Sequence, residues 1–190
     1  MSFFDNLFKI ENESSVSGLN SELKAIYIYE KFKNVKKSIT VVTNSLYEAN
    51  NMYKSLLNYS KDVLLFPMDD FLTSEALAIS PELKITRLET LKEILTGDKK
   101  IVITNLMGFL RFLPKHENFI KSIINLKQNQ TIDFNEIVNK LDGIGYERQT
   151  LVEKTGDFAV RGFVLDIFPL DFPHPIRIEL WGDEIDSIRI

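Results

Sequence analysis

Apolar and polar positions follow two different rhythms along this chain. In the first, short β-branched runs alternate with stretches of helical period. SELKAIYIYEKFK (21–33) sets Leu23, Ile26, Tyr27 and Glu30 at helical spacing, which predicts a helix. SITVVTN (38–44) then reads as a short buried strand. From Ser45 to Tyr59 the apolar residues Leu46, Ala49, Tyr53, Leu56 and Leu57 fall at helical steps again. DVLLFP (62–67) is a second strand, stopped by its proline. A third helix is expected over Pro81–Leu95, with Ser80 ahead of it, proline in its first turn, Glu82 behind, and Gly97 closing it. Its apolar positions are Leu83, Leu88, Leu91, Ile94 and Leu95, and KKIVITN (99–105) supplies a third strand. Strands alternating with helices of this length require crossovers, and crossovers imply a parallel sheet.

The second rhythm begins after Pro114. A helix is expected over 133–142, followed by strands separated by turns. Asp157–Phe168 reads as one strand that changes face at Gly162, where the glycine suggests a bulge or a close backbone approach. Pro169, Pro173 and Pro175 end its pairing. Beyond them Ile176, Ile178 and Leu180 face one way and Arg177, Glu179 and Trp181 the other, before Gly182-Asp183 turns the chain into EIDSIRI. A small antiparallel sheet with one helix over its apolar face follows. The chain therefore divides into an α/β domain, residues 1–115, with a partial parallel sheet, and a small α+β domain, residues 116–190, the polar KQNQ segment lying near the join.

Composition changes this picture little. Of 190 residues 44% are hydrophobic and 26% charged, which suits a soluble globular protein, and no run is long enough to span a membrane. The amino end MSFFDNLFKIENE lacks the pattern of a secretory signal. With no cysteine there are no disulfides or thiolate metal sites, which fits a cytoplasmic protein. Charge matters more. Residues 131–190 hold 12 acids and 6 bases, whereas residues 1–130 hold 15 acids and 17 bases. Neither part shows the basic excess of a protein built to grip a phosphate backbone.

Candidate chemistry starts at SGLNSELKA (17–25). Laid on a phosphate loop, G-x-x-x-x-G-K-[ST], Gly18 and Lys24 fit, but Leu23 replaces the second glycine and Ala25 the hydroxyl residue. A branched side chain at the point of closest backbone approach, no hydroxyl for Mg²⁺ and Glu22 alongside make this a relic loop, so no nucleotide, metal or other cofactor is expected. His116 and His174 lie apart from each other and from carboxylates at ligand spacing. Asp69, Asp70 and Glu75 read as solvated loop charge, and Asp166 and Asp186 as turn or strand-edge residues. No catalytic constellation emerges.

Two runs are far more specific: GDFAVRGFVLDIFP (156–169) and IRIELWGDEIDSIR (176–189). Together with SPELKITRLETL, ITNLMGFL and GYER in order, they resemble the UvrB-homology module, which occurs in the excision-repair protein UvrB and in transcription-repair coupling factors. The coupling-factor branch is the nearer likeness. UvrB keeps an intact phosphate loop and inserts an aromatic DNA-gripping hairpin, for which PMDDFLTSEALAI is too short and too acidic. The resemblance implies a degenerate helicase-like first domain and a second domain that docks the damage sensor UvrA. It carries the docking role onto Arg148, Arg161, Glu179 and Leu180; UvrB often has arginine where this chain has Ala159. Trp181, on the face of Arg177 and Glu179, adds an amphipathic anchor suited to an interface. The same face also admits a structural reading, with Arg161 and Glu179 as a cross-strand ion pair and Trp181 covering a seam. A UvrB-like DNA-binding module and a residual NTPase are the competing functions. Ile190 falls inside a strand pattern, so a piece of a longer protein is expected, whose other parts would engage RNA polymerase and move on DNA with ATP.

Overall fold

The computed structural model describes residues 15–70, 81–95 and 97–190. Glu75, Ser80, the amino-terminal MSFFDNLFKIENE and most of the segment between Phe66 and the third helix lie outside the described residues. The chain divides into two compact units, Met1–Phe112 and Leu113–Ile190.

In the first unit the elements run α1 (Ser21–Asn34), β1 (Ile39–Thr43), α2 (Leu46–Leu57), β2 (Val63–Phe66), α3 (Pro81–Ile94), β3 (Ile101–Asn105) and α4 (Leu106–Phe109). The three strands form a parallel sheet in the order β1-β3-β2, with Val41 and Leu65 both in register with Ile103. Ala25 and Phe32 of α1 and Ala49 and Leu56 of α2 cluster with Val63, Ile101 and Ile103. Ala25 and Ala49 are wholly buried, and their small side chains let both helices approach the core closely. Each helix start is fixed locally: Leu23 N–H donates to the Asn20 side chain at 2.9 Å, and Glu48 N–H to Ser45 Oγ at 3.2 Å. At the other end of α1, Lys99 Nζ donates to the carbonyls of Phe32 and Val35 at 2.7 and 3.0 Å and lies 4.2 Å from the Phe32 ring centroid.

The carboxyl ends of the strands carry a polar seam. Asn105 is wholly buried. Its Oδ1 accepts from Met68 N–H at 3.2 Å and Gly108 N–H at 3.3 Å. Its Nδ2 donates to the Met68 carbonyl and to Asp70 Oδ1, both at 2.7 Å. The Asp70 carboxylate in turn accepts from Leu46 N–H, at the first residue of α2, at 2.8 and 3.0 Å. A negative group thus sits where the positive end of the α2 dipole favours one. The seam ties the loop after β2 to the starts of α2 and α4.

The second unit contains α5 (His116–Ser122), α6 (Phe134–Gly143), β4 (Glu147–Arg148), β5 (Asp157–Arg161), β6 (Val164–Ile167), β7 (Ile176–Trp181) and β8 (Glu184–Arg189). Its five strands are ordered β4-β5-β6-β7-β8. All neighbours are antiparallel except β4, which runs parallel to β5, so the sheet is mixed where an antiparallel one was expected. Two residues carry no periodicity, which is why β4 is invisible in the pattern.

A second difference has more consequence. Asp157–Phe168 is not one bulged strand but two, because Arg161 pairs with Val164 and the chain reverses through Gly162-Phe163. Gly162 has φ 60°, the positive value that a type II′ hairpin needs at its first loop position. The same device recurs where Trp181 pairs with Glu184 around Gly182-Asp183, with Gly182 at φ 61°. Between these tips the sheet buries Phe158, Leu165, Ile178, Leu180 and Ile185 against Leu141 of α6, with Ile137 and Val138 packed alongside. The N-terminus of α6 is capped by Asp133, which accepts from Glu136 N–H at 3.0 Å.

Candidate functional site

Strand alternation puts polar side chains on the face of the five-stranded sheet opposite this core. In β7, Ile176, Ile178 and Leu180 are buried, while Arg177 and Trp181 are exposed and Glu179 is half-buried. Cross-strand register then groups the outward positions into rows. One row runs Arg161, Val164, Glu179, Ser187; the next runs Ala159, which is buried although it points to this side, then Asp166, Arg177 and Arg189. Trp181, opposite Glu184, ends the face at the hairpin tip.

Within these rows the arginines are unequally occupied. Arg177 grips Asp166 with a two-pronged fork, Nε to Oδ1 at 2.7 Å and Nη2 to Oδ2 at 2.9 Å. Arg189 Nη2 donates to Glu179 Oε2, which also accepts from Ser187 Oγ at 3.1 Å. Arg161 has no carboxylate at hydrogen-bond distance among the described residues. Its nearest is Asp166, at 3.9 Å and already chelated, and its Nη2 donates to the Thr150 carbonyl at 2.6 Å. Its side chain is 55% exposed. The hydrogen bonds from Arg177, helped by the charges of Arg177 and Arg161, hold the Asp166 carboxyl below its ordinary range against the opposing pull of burial.

The loop bearing Thr150 is itself anchored. Asp157 is buried, and its Oδ2 accepts from Glu153 N–H at 3.2 Å and Lys154 N–H at 2.9 Å. Gln149 N–H donates to the Phe158 carbonyl at 2.8 Å, which fixes the start of the same loop on β5.

The structure brings Arg161, Glu179 and Trp181 onto one face. Arg161 and Glu179 share a row, but they do not pair with each other: Glu179 belongs to Arg189. Trp181 is 85% exposed, so it covers no seam within the unit. Arg148 is exposed at the β4 edge, in register with inward-facing Phe158 and therefore off the Arg161 row. Leu180 is a correction. It faces inward in the core cluster, 8% exposed, because β7 alternation sends it to the side opposite Glu179. Leu180→Ala is accordingly expected to lower stability by about 2–4 kcal/mol in urea denaturation while leaving the outward face in place. Asp166, expected at a turn or strand edge, lies within β6, between β5 and β7. Arg177 was legible as an outward position through alternation; Arg189 was not, because a register shift in the β7–β8 pairing puts it on the side opposite Ile185, and the partners of both required the register.

In SGLNSELKA, Asn20 caps α1 and takes the Leu23 N–H, one of the donors a phosphate at that helix start would need. Ala25 sits wholly buried in the core cluster, so its methyl contributes packing. Lys24 is exposed and lines a groove with Tyr27, Val42, Asn44 and Tyr47. Glu22 accepts from Ser55 Oγ of α2 at 3.1 Å, tying the loop to the next helix. His116 opens α5 and His174 lies between β6 and β7, both exposed. Among the described residues no group of three or more His, Asp or Glu converges to hold a metal, and no helix is long and apolar enough to cross a membrane.

Residues 124–190 match the family described as the UvrB interaction domain. A transcription-repair-coupling factor of Staphylococcus epidermidis is 37% identical over 187 residues, covering 97% of this chain and 16% of that protein. Those of Staphylococcus haemolyticus and Staphylococcus aureus (strain bovine RF122 / ET3-1) are each 35% identical, over 97% and 92% of this chain and 16% and 15% of theirs. The chain thus spans about a sixth of the length of the curated relatives it matches. Residues 124–190 are thus similar to the UvrB interaction domain family, within a chain that resembles transcription-repair-coupling factors along nearly its whole length.

Proposed function

We propose that this chain belongs to a cytoplasmic factor that couples transcription to DNA repair, and that it recruits the excision-repair protein UvrA through the outward face of its five-stranded sheet. The chain acts here by binding, without catalysis of its own. One observation carries the reading: in the family-matched part, Arg161 is an exposed guanidinium whose nearest carboxylate is already taken by Arg177. A planar donor fork held at a sheet surface, with donors left over, is suited to a carboxylate on a partner. Glu179 and Trp181 extend the same face, and Arg148 borders it at the exposed β4 edge, on the Phe158 side of the sheet. Engagement of RNA polymerase, and ATP-driven movement on DNA, fall on this reading to sequence outside this stretch.

Calorimetric titration into purified UvrA, parent chain beside Arg161→Glu, tests it. The parent is expected to bind, and the variant to lose about 2 kcal/mol or more with an unchanged circular dichroism spectrum, as for reversal of an interfacial charge. Equal affinity of the two folded proteins would sink the proposal.

A further inference from the structure

We propose that Asp166 is a positioning residue for the docking arginine. By chelating Arg177 and standing beside Arg161, it keeps two guanidiniums of one sheet face in fixed places. The inference rests on the docking reading given above and adds a residue that does not itself meet the partner. Its basis is the shared oxygen. Asp166 Oδ2 accepts from Arg177 Nη2 at 2.9 Å and lies 3.9 Å from Arg161 Nη1. The carboxylate is 15% exposed, against 49% and 55% for the two arginines, so it lies beneath them and they reach outward.

Removing that negative charge has a definite physical result. Arg161 and Arg177 then repel each other with nothing between them. The single hydrogen bond from Arg161 to the Thr150 carbonyl must hold a long, rotamer-rich side chain by itself. Arg161 becomes mobile in the free protein, and docking must restrict it again. The sign of the expected change separates this idea from simple attraction. Loss of a carboxylate makes the face more cationic, so long-range attraction alone would tighten binding to an acidic partner surface. Positioning makes binding weaker.

The test is a double-mutant cycle read by titration of the 190-residue chain into UvrA. Asp166→Asn is expected to weaken binding about threefold to tenfold in the parent, the size of one side chain's ordering, and by less than about twofold in the Arg161→Ala background. Asp166→Glu, which returns the carboxylate, is expected to recover most of the loss. Side-chain ¹⁵N relaxation at Arg161 Nε gives a measure free of the partner, with the order parameter falling in Asp166→Asn and returning in Asp166→Glu. An unchanged order parameter, unchanged or tighter binding in the parent, or an equal loss in both backgrounds overturns the positioning role. If Arg161→Ala alone leaves binding intact, the docking reading fails at this residue, and the relaxation result still decides whether Asp166 orders it.

Discussion

Asn105→Ala is expected to destabilise the parallel-sheet unit by about 3 kcal/mol or more, because it strands several buried groups at once. The side chain spends both acceptor lone pairs and both amide protons inside the protein. Alanine leaves Met68 N–H, the Met68 carbonyl and Gly108 N–H without that partner, and each orphaned buried group costs about 1–3 kcal/mol before relaxation. Asp70 loses one of the donors that aim its carboxylate at the start of α2. The isosteric Asn105→Asp is no remedy near neutral pH. It offers no donor to the Met68 carbonyl and brings a second negative charge to Asp70. Hydrogen exchange at the Ile101–Asn105 amides is the direct measurement. Both variants are expected to exchange much faster than the parent there, and parent-like protection in either one would remove the seam from any stabilising role.

A comparable loss is expected from Phe158→Ala in the other unit, about 3–5 kcal/mol. Phe158 is wholly buried and belongs to the cluster with Leu141, Leu165, Ile178 and Ile185. It also lies beside Arg148 and opposite Ile167, so its ring supports the only described pairing of β4 and one end of the β5–β6 hairpin. A unit of this size carries about 5–10 kcal/mol of stability in all, so the variant is left only marginally folded. Urea denaturation followed by far-ultraviolet circular dichroism should show a much lower midpoint. A shift corresponding to under about 1 kcal/mol would mean that the surrounding side chains refill the space, as well-adapted cores sometimes do.

The parts of this structure that sequence made legible are those governed by near-neighbour periodicity. The runs ITVV, VLLF and IVIT are β-branched or apolar and bounded by polar or proline residues, and each is a strand. Alternation along IRIELW correctly separates Ile176, Ile178 and Leu180 from Arg177, Glu179 and Trp181. The family motif then overrode that alternation by giving Leu180 a surface role, and the core placement restores what the period of two already said. The hairpin at Gly162 escaped because FAVRGFVLDI is nearly continuous in apolar character, and Gly-Phe lacks the polar second residue that usually marks a tight turn. That one error hid the chemistry of the face. With 157–168 read as a single strand, Asp166 has no register with Arg177 or Ala159, so the pairing that leaves Arg161 open cannot be anticipated. The Asn105 seam is a different case. Its partners Met68 and Asp70 lie 37 and 35 residues away in sequence, and a lone asparagine at the end of a strand reads as an ordinary helix cap, which it also is.

The two hairpin tips bear on how this surface can diverge among relatives. Each tip is a two-residue loop whose length fixes which residues of the flanking strands are neighbours. Outward positions such as 161, 177 and 179 can exchange one side chain for another without disturbing the core, so the chemistry of the face can drift by substitution. Insertion of a single residue is another matter. Unless a bulge absorbs it, the next strand slips by one place and turns every buried side chain outward. Lineages that retain this fold are therefore free to rewrite what the face recognises, but they inherit the spacing at which it is presented.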